Sequence, residues 1–333
     1  MHGYDACLIV SRTQHMLTLL KLLQDGRFHS GQALGAALGV SRSAVWKQLQ
    51  QLEAELSLPI YKVRGRGYRL QSPLSLLDSE ALNKAGSPWA HRVFDSLDST
   101  NAEVMRRLAA GEVPPFAVVA ERQTEGRGRR GRRWVSPYAQ NLYYSLALRI
   151  NGGARQLEGL SLVIGLAVLS TLRAFGLVDA GLKWPNDLLV NNRKIAGILL
   201  ELLGDPADIC HVVVGIGINV NMQSSVVDID QPWTSMQSES GTLIDRNALI
   251  AQLSACLEGY LRRHELEGFS ALREEWEGGH LWQGKPVSLI AGVQKIQGRV
   301  LGIDATGALR LSVDGEERAY SGGELSLRLS DDS

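Results

Sequence analysis

Five arginines lie within the eight residues from Gly126 to Arg133, interleaved with three glycines. Their charges repel one another and the glycines leave the backbone unrestrained, so we expect this loop to be poorly ordered until an anion neutralises it. A polyphosphate or an acyl phosphate is the natural anion. The spacing also matches a dinucleotide-binding loop, but Ser136 and Pro137 follow where that motif needs a helix. An RNA-binding arginine–glycine tract is the other alternative.

The segment Lys183-Trp184-Pro185-Asn186-Asp187 is the second candidate for chemistry. Because proline is disfavoured inside an apolar strand except at an edge or a bulge, we expect the strand to be irregular here. Bulges often aim side chains into sites, so Asn186 and Asp187 could hold a Mg²⁺–phosphate. The alternative is a plain Pro-Asn-Asp turn.

Lys194 begins another apolar strand, shortly before Gly197. A glycine at that place lets a ligand approach the backbone closely, with the lysine beside it. A merely solvated hairpin lysine is the alternative. The later run Gly215-Ile-Gly-Ile-Asn219 lacks the third glycine of a nucleotide fingerprint, and its strand could simply pack tightly.

The stretch Ser99-Thr100-Asn101 precedes a predicted helix. Thr100 and Glu103 fit a capping box, which would explain both residues structurally. The hydroxyl groups of Ser99 and Thr100 and the amide of Asn101 also lie where a helix N-terminus can meet a polar ligand. The seven histidines are scattered, and the chain contains no zinc-protease, serine-hydrolase or P-loop string.

The part of the chain that carries these residues is predicted to contain both strands and helices. Apolar runs predict strands at Phe116–Ala120, Leu142–Ile150, Leu182–Val190, Ile195–Leu203 and Val212–Val220. Helical spacing predicts helices around Leu74–Leu82, over Gln156–Phe175 and within Leu243–Leu266. From Pro286 onward, short alternating segments punctuated by glycines predict a separate small β-barrel.

The front of the chain has the pattern of a winged helix-turn-helix. Met16–Leu23 predicts a helix, Ser30 precedes a second one, and Ser41 is a good N-cap for a third. The inward stripe of the third helix is Val45, Leu49, Leu52 and Leu56. Ile60–Leu70 predicts a hairpin, and residues 1–15 are expected to be a disordered extension.

Several outward groups of this module could reach phosphates and base edges of DNA. They are Arg42, Ser43, Trp46, Lys47 and Gln50 on the third helix and Arg64 and Arg66 in the hairpin. Residues 1–72 carry nine basic and four acidic residues, so the module is basic while the whole chain is neutral. A protein-interaction domain is the alternative, and Trp46 could instead be a buried edge of the core.

The composition is that of a folded, soluble protein, with 44% hydrophobic and 21% charged residues. Its 333 residues suffice for about two to three domains. Three distant cysteines support neither disulfides nor zinc, which favours a reducing, cytoplasmic setting. The longest apolar run, Leu157–Leu172, is short and contains Glu158, so no membrane span is expected.

Taken in order, five motifs resemble the signature of biotin protein ligases. They are Asp-Ser-Thr-Asn, Glu-Arg-Gln with the arginine–glycine loop, Lys-Trp-Pro-Asn-Asp, Arg-Lys-Ile-Ala-Gly-Ile-Leu-Leu-Glu and Gly-Ile-Gly-Ile-Asn-Val-Asn. With the front module, the resemblance to the bifunctional ligase and biotin-operon repressors spans Met16 to Leu329. It implies an α+β multidomain fold: a winged helix-turn-helix (16–72), a central mixed α/β ligase domain (73–283) and an SH3-like C-terminal β-barrel (284–333).

The resemblance also implies the chemistry. Biotin and ATP, with Mg²⁺, form biotinyl-5′-AMP, which a lysine of the biotin carboxyl carrier protein of acetyl-CoA carboxylase then attacks. Ser99, Thr100 and Gln123 would bind the ureido end of biotin. Arg127, Arg129 and Lys194 would face the carboxylate and the α-phosphate, and Asp187 would bind Mg²⁺ or help to deprotonate the incoming lysine. The other implied site residues are Asn101, Gly126, Gly128, Lys183, Gly197, Leu199 and, on the adenine side, Asn219.

The implied partners are operator DNA and a second copy of the chain, with dimer formation promoted by biotinyl-5′-AMP. Two rival functions remain open on the sequence. One is a transcription regulator that only senses a small carboxylic acid, and the other is a lipoate ligase. The intact Arg127, Arg129, Lys194 and Asp187 argue against a sensor that has lost its activity, and Trp134 with the Lys-Trp-Pro-Asn-Asp segment favours biotin.

Overall fold

A computed structural model of the chain describes residues 16–150, 156–204, 210–223, 229–322 and 325–330. The extension predicted for residues 1–15 lies outside the described residues. The chain divides into two compact units: unit 1 ends at Leu76 and includes the loop Tyr138–Gln140, and unit 2 comprises residues 77–137 and those from 141 onward. No helix in the described ranges is long and apolar enough to cross a membrane.

Unit 1 is a winged helix-turn-helix. Its helices are α1 (16–23), α2 (Gly31–Leu38) and α3 (Arg42–Leu56), and its strands β1 (Ile60–Val63) and β2 (Gly67–Leu70) form an antiparallel hairpin. The predicted caps are confirmed, because Ser30 Oγ accepts the Ala33 N–H at 3.0 Å and Ser41 Oγ accepts that of Ala44 at 3.2 Å. Each hydroxyl satisfies a backbone donor that the first helical turn leaves open.

The apolar core of unit 1 forms where the three helices meet. Val45, Leu49 and Leu52 are buried as the stripe predicted, whereas Leu56 at the helix end is only half-buried. The core also contains Tyr138 and Ala139, which the chain contributes from far beyond the hairpin. No local pattern could have assigned these two residues to the front module.

Unit 2 is built on a seven-stranded mixed sheet of order β3-β4-β5-β9-β8-β7-β6. Its strands are β3 (Ala90–Leu97), β4 (Phe116–Gln123), β5 (Leu142–Ile150), β6 (Gly181–Lys183), β7 (Asp187–Val190), β8 (Arg193–Gly204) and β9 (Cys210–Ile218). Only β3 and β4 are parallel, and every other neighbouring pair is antiparallel. This register places the predicted site strands β7, β8 and β9 side by side.

Helices cover both faces of this sheet. They are α4 (Ser79–Lys84), α5 (Thr100–Ala109), α6 (Leu160–Ala174), α7 (Met236–Ser240), α8 (Arg246–Glu267) and α9 (Arg273–Gly279). Along β4, Phe116 and Val118 join the small core under α5, whereas Ala117 and Val119 join the main core with α6 and α8. Alternate residues of a strand point to opposite faces, so a strand covered on both sides is apolar throughout.

A second, five-stranded antiparallel sheet of order β13-β12-β11-β10-β14 completes unit 2. Its strands are β10 (Pro286–Ala291), β11 (Gln294–Ile303), β12 (Leu309–Val313), β13 (Glu316–Tyr320) and β14 (Leu325–Leu329). Val287, Leu311 and Leu327 of this sheet belong to the same core as the central helices. The predicted fold class is confirmed, while the domain boundaries at 72 and 283 stay predictions.

Two predicted helices have different bounds in the structure. The one expected at Leu74–Leu82 starts only at Ser79, because the Asp78 carboxylate accepts the N–H groups of Glu80 and Ala81 as an N-cap. The one expected from Gln156 starts at Leu160, after Gly159 adopts a left-handed conformation with φ +65°. Strand β3 is an addition that the sequence analysis missed.

Candidate active site

The arginine–glycine loop follows β4 and folds back on itself. The Trp134 N–H donates to the Gly126 carbonyl at 2.8 Å, and the Gly128 N–H donates to that of Arg132 at 2.8 Å. Arg129 turns inward: its guanidinium donates to Asn186 Oδ1 and to the Gly322 carbonyl, both at 2.8 Å. The other four arginines of the loop are exposed. The expected ordering by an anion stays a prediction, but Arg129 already ties the loop to the rest of the site.

The Lys-Trp-Pro-Asn-Asp segment is the turn of the β6–β7 hairpin, so the expectation of a bulged strand at the proline was wrong. Lys183 pairs with Asp187 across the turn, and the Trp184–Pro185 peptide is cis. Asn186 fixes the turn on β8: its side-chain Nδ2 donates to the Ile198 carbonyl at 2.7 Å, and its backbone carbonyl accepts the Ile198 N–H at 2.9 Å. The turn thereby places Asp187 beside Lys194.

Asp187 and Lys194 form an ion pair of 2.6 Å between Oδ1 and Nζ, with side chains 18% and 16% exposed. The Lys194 ammonium also lies 5.5 Å from the centroid of the Trp134 ring. A charge pair this sheltered is screened less than one on the surface. The two residues predicted to carry the chemistry are thus brought together.

More cations surround this pair. Burial lowers the pKa of the Lys183 ammonium. The negative charge of Asp187 raises this pKa, whereas the positive charges of Lys194, Arg328 and Arg132 lower it further. Burial likewise lowers the pKa of Arg129, against the effect of Asp187. Among the described residues, the Asp187 carboxylate faces several neighbouring positive charges, and an anionic ligand would neutralise the surplus.

The magnesium role expected for Asp187 stays a prediction. Its carboxylate is engaged by Lys194. No group of three or more histidine, cysteine, aspartate or glutamate side chains that could hold a metal occurs in the described part of the chain. Because Mg²⁺ in nucleotide sites is usually held by one or two carboxylates together with phosphate oxygens, Asp187 would be its ligand only alongside a bound nucleotide.

The Ser99-Thr100-Asn101 stretch starts α5, but its cap differs from the prediction. Ser99, and not Thr100, is the N-cap, and its Oγ accepts the Ala102 N–H at 3.4 Å. Thr100 is thereby released to bind β4: its N–H and its hydroxyl both lie within 3.0 Å of Gln123 Oε1. Glu103 pairs with Arg106 and Arg107 and closes no capping box.

Thr100, Asn101 and Gln123 form a polar cluster, which we call the polar end of the site. Ser145 and Glu201, to which the sequence analysis assigned no role, complete it. Ser145 Oγ lies 2.7 Å from the Thr100 hydroxyl and 2.6 Å from Asn101 Oδ1. Asn101 Nδ2 donates to Glu201 Oε2 at 2.7 Å, and the other oxygen of Glu201 faces Arg127 at 3.9 Å. The sequence did offer a signal for Ser145, because it is a polar residue inside the apolar strand Leu142–Ile150.

Glycines make room for side chains that lie on the sheet. Gly197 and Gly217 are partners on β8 and β9, and a Cβ on Gly217 would lie 2.5 Å from the Trp134 ring. A Cβ on Gly215 would lie 2.4 Å from Asn101 Oδ1. Their strands therefore do more than pack tightly. They admit an indole and an amide where any larger residue would collide.

The other predicted residues lie around the glycine floor, the surface of β8 and β9 at Gly197, Gly215 and Gly217. Asn219 Nδ2 donates to the Thr234 carbonyl at 3.0 Å and to that of Lys194 at 3.3 Å, which fixes the end of β9 beside β8. Leu199 is half-buried on β8 opposite Gly215. The Trp134 indole N–H is buried and has no partner among the described residues, so it is a donor that a ligand could use.

The residues predicted to contact DNA lie together on unit 1. Arg42, Ser43, Trp46, Lys47 and Gln50 are all exposed along α3. Arg64 is exposed in the hairpin turn, and the exposed Arg66 stacks its guanidinium 4.3 Å from the centroid of the Phe28 ring. The alternative in which Trp46 is a buried edge of the core is wrong, since its side chain is 41% exposed.

Comparisons with known proteins agree with this architecture. The model of the Biotin/lipoate A/B protein ligase family matches residues 93–219, an HTH domain model matches 14–69, and the Biotin protein ligase C terminal domain model matches 284–328. The bifunctional ligase/repressor BirA of Salmonella typhimurium is 42% identical over 314 residues, which cover 94% of this chain and 97% of that protein. The Escherichia coli protein of the same name is 41% identical over 316 residues, 94% of this chain and 97% of its own length.

A solved structure shows the same relationship. The biotin protein ligase from Aquifex aeolicus in complex with biotin and ATP has a TM-score of 0.63 and 31% identity, covering 72% of this chain and 99% of that one. The similarity thus extends over nearly the full length of the repressor-type relatives, front module included. The chain belongs to the biotin protein ligase family, in its branch of bifunctional ligase/repressors.

Proposed function

We propose that this chain joins biotin to AMP and then transfers the biotinyl group to a lysine of the biotin carboxyl carrier protein of acetyl-CoA carboxylase. We also propose that unit 1 binds operator DNA and represses biotin synthesis. The observation that carries the enzymatic part is the Lys194–Asp187 pair, set among further cations beside the buried Trp134 N–H. The polar end formed by Thr100, Gln123 and Ser145 supplies the second half of a site for a molecule with one polar and one anionic end.

In the first step, a biotin carboxylate oxygen attacks the α-phosphorus of ATP and pyrophosphate leaves. Two anions must approach each other, so cations held in a sheltered site stabilise the charge that develops. Lys194 is the group we assign to the carboxylate and the α-phosphate, together with Arg127 and Arg129. Asp187 holds the Lys194 ammonium in place at 2.6 Å.

In the second step, the neutral amine of the carrier lysine attacks the acyl carbon of the adenylate, and AMP leaves. The amine must lose a proton, and Asp187 is the carboxylate nearest to Lys194 that could take it. At the other end of the ligand, we assign Ser99, Thr100 and Gln123 to the ureido group and Asn219 to the adenine side. Mg²⁺ enters this proposal as the counterion that accompanies ATP, and no step is assigned to it.

A panel of carboxylic acids tests the substrate. We expect ATP–pyrophosphate exchange to depend on biotin and to stay near background with lipoate or octanoate, because only biotin offers a ureido group to the polar end of the site. Exchange driven equally by lipoate would contradict the substrate assignment. No exchange with any acid would support the alternative of a small-molecule sensor.

The glycine floor gives a second test. A Cβ on Gly217 would lie 2.5 Å from Trp134 ring atoms, so Gly217→Ala should displace the indole. We expect a loss of about tenfold or more in biotin affinity, measured by titration calorimetry, because shifting a packed indole costs on the order of 1–3 kcal/mol. Gly259→Ala is the matched control, since a Cβ there meets open space. Equal affinities in the two variants would show that the floor does not position the ligand.

We propose that two copies of the chain bind the operator as a dimer. One winged helix with few phosphate contacts binds weakly at physiological salt, whereas two that are one helical turn apart combine their base contacts. Pairing of unit 2 through exposed sheet edges, promoted by biotinyl-5′-AMP, would couple repression to the biotin supply. Sedimentation velocity should show a shift from monomer to dimer on addition of the adenylate. A dimer that forms with the same affinity in the absence and in the presence of the adenylate would refute the coupling.

We further propose that the protein works in the cytoplasm. Both described cysteines, Cys210 and Cys256, are free thiols, as expected in a reducing compartment. The carrier protein substrate and operator DNA would be available there. Fractionation of cells that produce the protein would test this location.

A further inference from the structure

Trp46 is a large apolar side chain left at the surface of unit 1. It is 41% exposed, whereas its neighbours Val45 and Leu49 are buried in the core between the helices. That core is complete without Trp46. A single exposed apolar residue is ordinary by itself, but a tryptophan that lies among the residues predicted to contact DNA is placed to touch that partner.

Trp46 lies in the second turn of α3, near the N-terminal end from which a recognition helix contacts base edges. Arg42, Trp46 and Gln50 follow one another at i, i+4 and i+8, so they form one ridge along the helix. At 1.5 Å per residue this ridge is about 12 Å long, which is about the width of the DNA major groove. Arg42 and Lys47 are exposed on the same helix, and their positive charges complement the negative charges of the phosphates.

The hairpin restrains the indole. The Lys62 ammonium of β1 lies 5.9 Å from the centroid of the Trp46 ring, within the range of a cation–π contact. Tyr61, the exposed aromatic residue of β1, is instead covered by the Arg69 guanidinium at 5.0 Å from its centroid. Trp46 thus has a cation–π contact with the hairpin while its side chain stays 41% exposed.

We infer that Trp46 reads the C5-methyl group of a thymine in the operator half-site. Among the four bases, only thymine presents an apolar group in the major groove. An apolar ring gains by leaving water only when an apolar partner covers it, so contact with the methyl group is favoured over contact with the polar base edges. This inference rests on the proposed DNA-binding function and adds a specificity-determining residue to it.

The test uses the full chain with biotinyl-5′-AMP and a duplex enriched from a randomised DNA library. In that duplex each thymine is replaced in turn by uracil, which removes the methyl group and keeps the hydrogen-bonding edge. We expect one position in each half-site to lose about fivefold in affinity, the size expected for removing a buried methyl contact. Trp46→Ala should bind the thymine and uracil duplexes equally. Tyr61→Ala is the matched control and should keep the wild-type ratio.

The outcomes separate the inference from the function on which it rests. A duplex that is enriched but tolerates uracil at every position overturns the role of Trp46 and leaves DNA binding intact. The same holds if Trp46→Ala still prefers thymine. Trp46→Gln provides a second, solvent-compatible variant should the alanine variant not fold. If no duplex is enriched and the protein shows no salt-dependent binding to DNA, the repressor function is overturned and this inference with it.

Discussion

Lys194→Ala should lower biotin-dependent pyrophosphate exchange by at least about 100-fold, or about 2.7 kcal/mol of transition-state stabilisation. Lys194 is the only cation in the described structure that pairs with Asp187 as a salt bridge. Removing it takes away a positive charge that is sheltered from water and leaves the Asp187 carboxylate without its salt-bridge partner beside the incoming anions. Repulsion is thereby added to the loss of attraction.

The matched control is Arg193→Ala. Arg193 precedes Lys194 on the same strand, but it is exposed and pairs with Glu239 at 2.7 Å. Both variants remove one positive charge, so a general electrostatic effect would appear in both. We expect exchange within about twofold of the wild type for Arg193→Ala, as for most surface substitutions. Near-normal exchange in the Lys194 variant would remove Lys194 from the mechanism.

Arg129→Gly should release biotinyl-5′-AMP before transfer, so that lysines of unrelated proteins become biotinylated. Arg129 connects the arginine–glycine loop to Asn186 and, through the Gly322 carbonyl, to the C-terminal sheet. Without these bonds the loop loses its anchor, and with the guanidinium it loses a cation that we propose faces the adenylate. Loops that close over a reactive intermediate keep it from water and bystanders. We expect adenylate affinity to fall by about 100-fold, the size of a lost charged hydrogen-bonding group.

Arg130→Gly is the control for this variant. Arg130 is exposed and has a φ of +60°, which glycine adopts without strain. The control removes the same charge and adds the same flexibility to the same loop. Streptavidin blots of a mixture with serum albumin would report the labelling of bystander lysines. If both variants label albumin equally, flexibility and not the Arg129 anchor controls release. If neither does, the loop does not retain the adenylate.

The sequence allowed most elements to be identified, and the candidate site residues to be proposed, because both are encoded locally. Ser30 and Ser41 cap their helices through groups within the first helical turn. The strands around Lys194 and Asn219 are continuous apolar runs, as a sheet covered on both faces requires. Where a local signal was shared between two positions, the assignment failed: Ser99, and not its neighbour Thr100, caps α5.

The tertiary structure alone decided how these residues meet. Only the pairing of β8 with β9 shows that Gly217 makes room for Trp134 and Gly215 for Asn101. Ser145 enters the site because β5 brings it beneath the start of α5, and Tyr138 belongs to unit 1 because it packs in that core. Side-chain chemistry and hydrogen-bonding turns depend on neighbours in the chain, so a sequence can reveal them. Distances across a sheet depend on register and packing between segments far apart, and these arise only when the whole chain has folded.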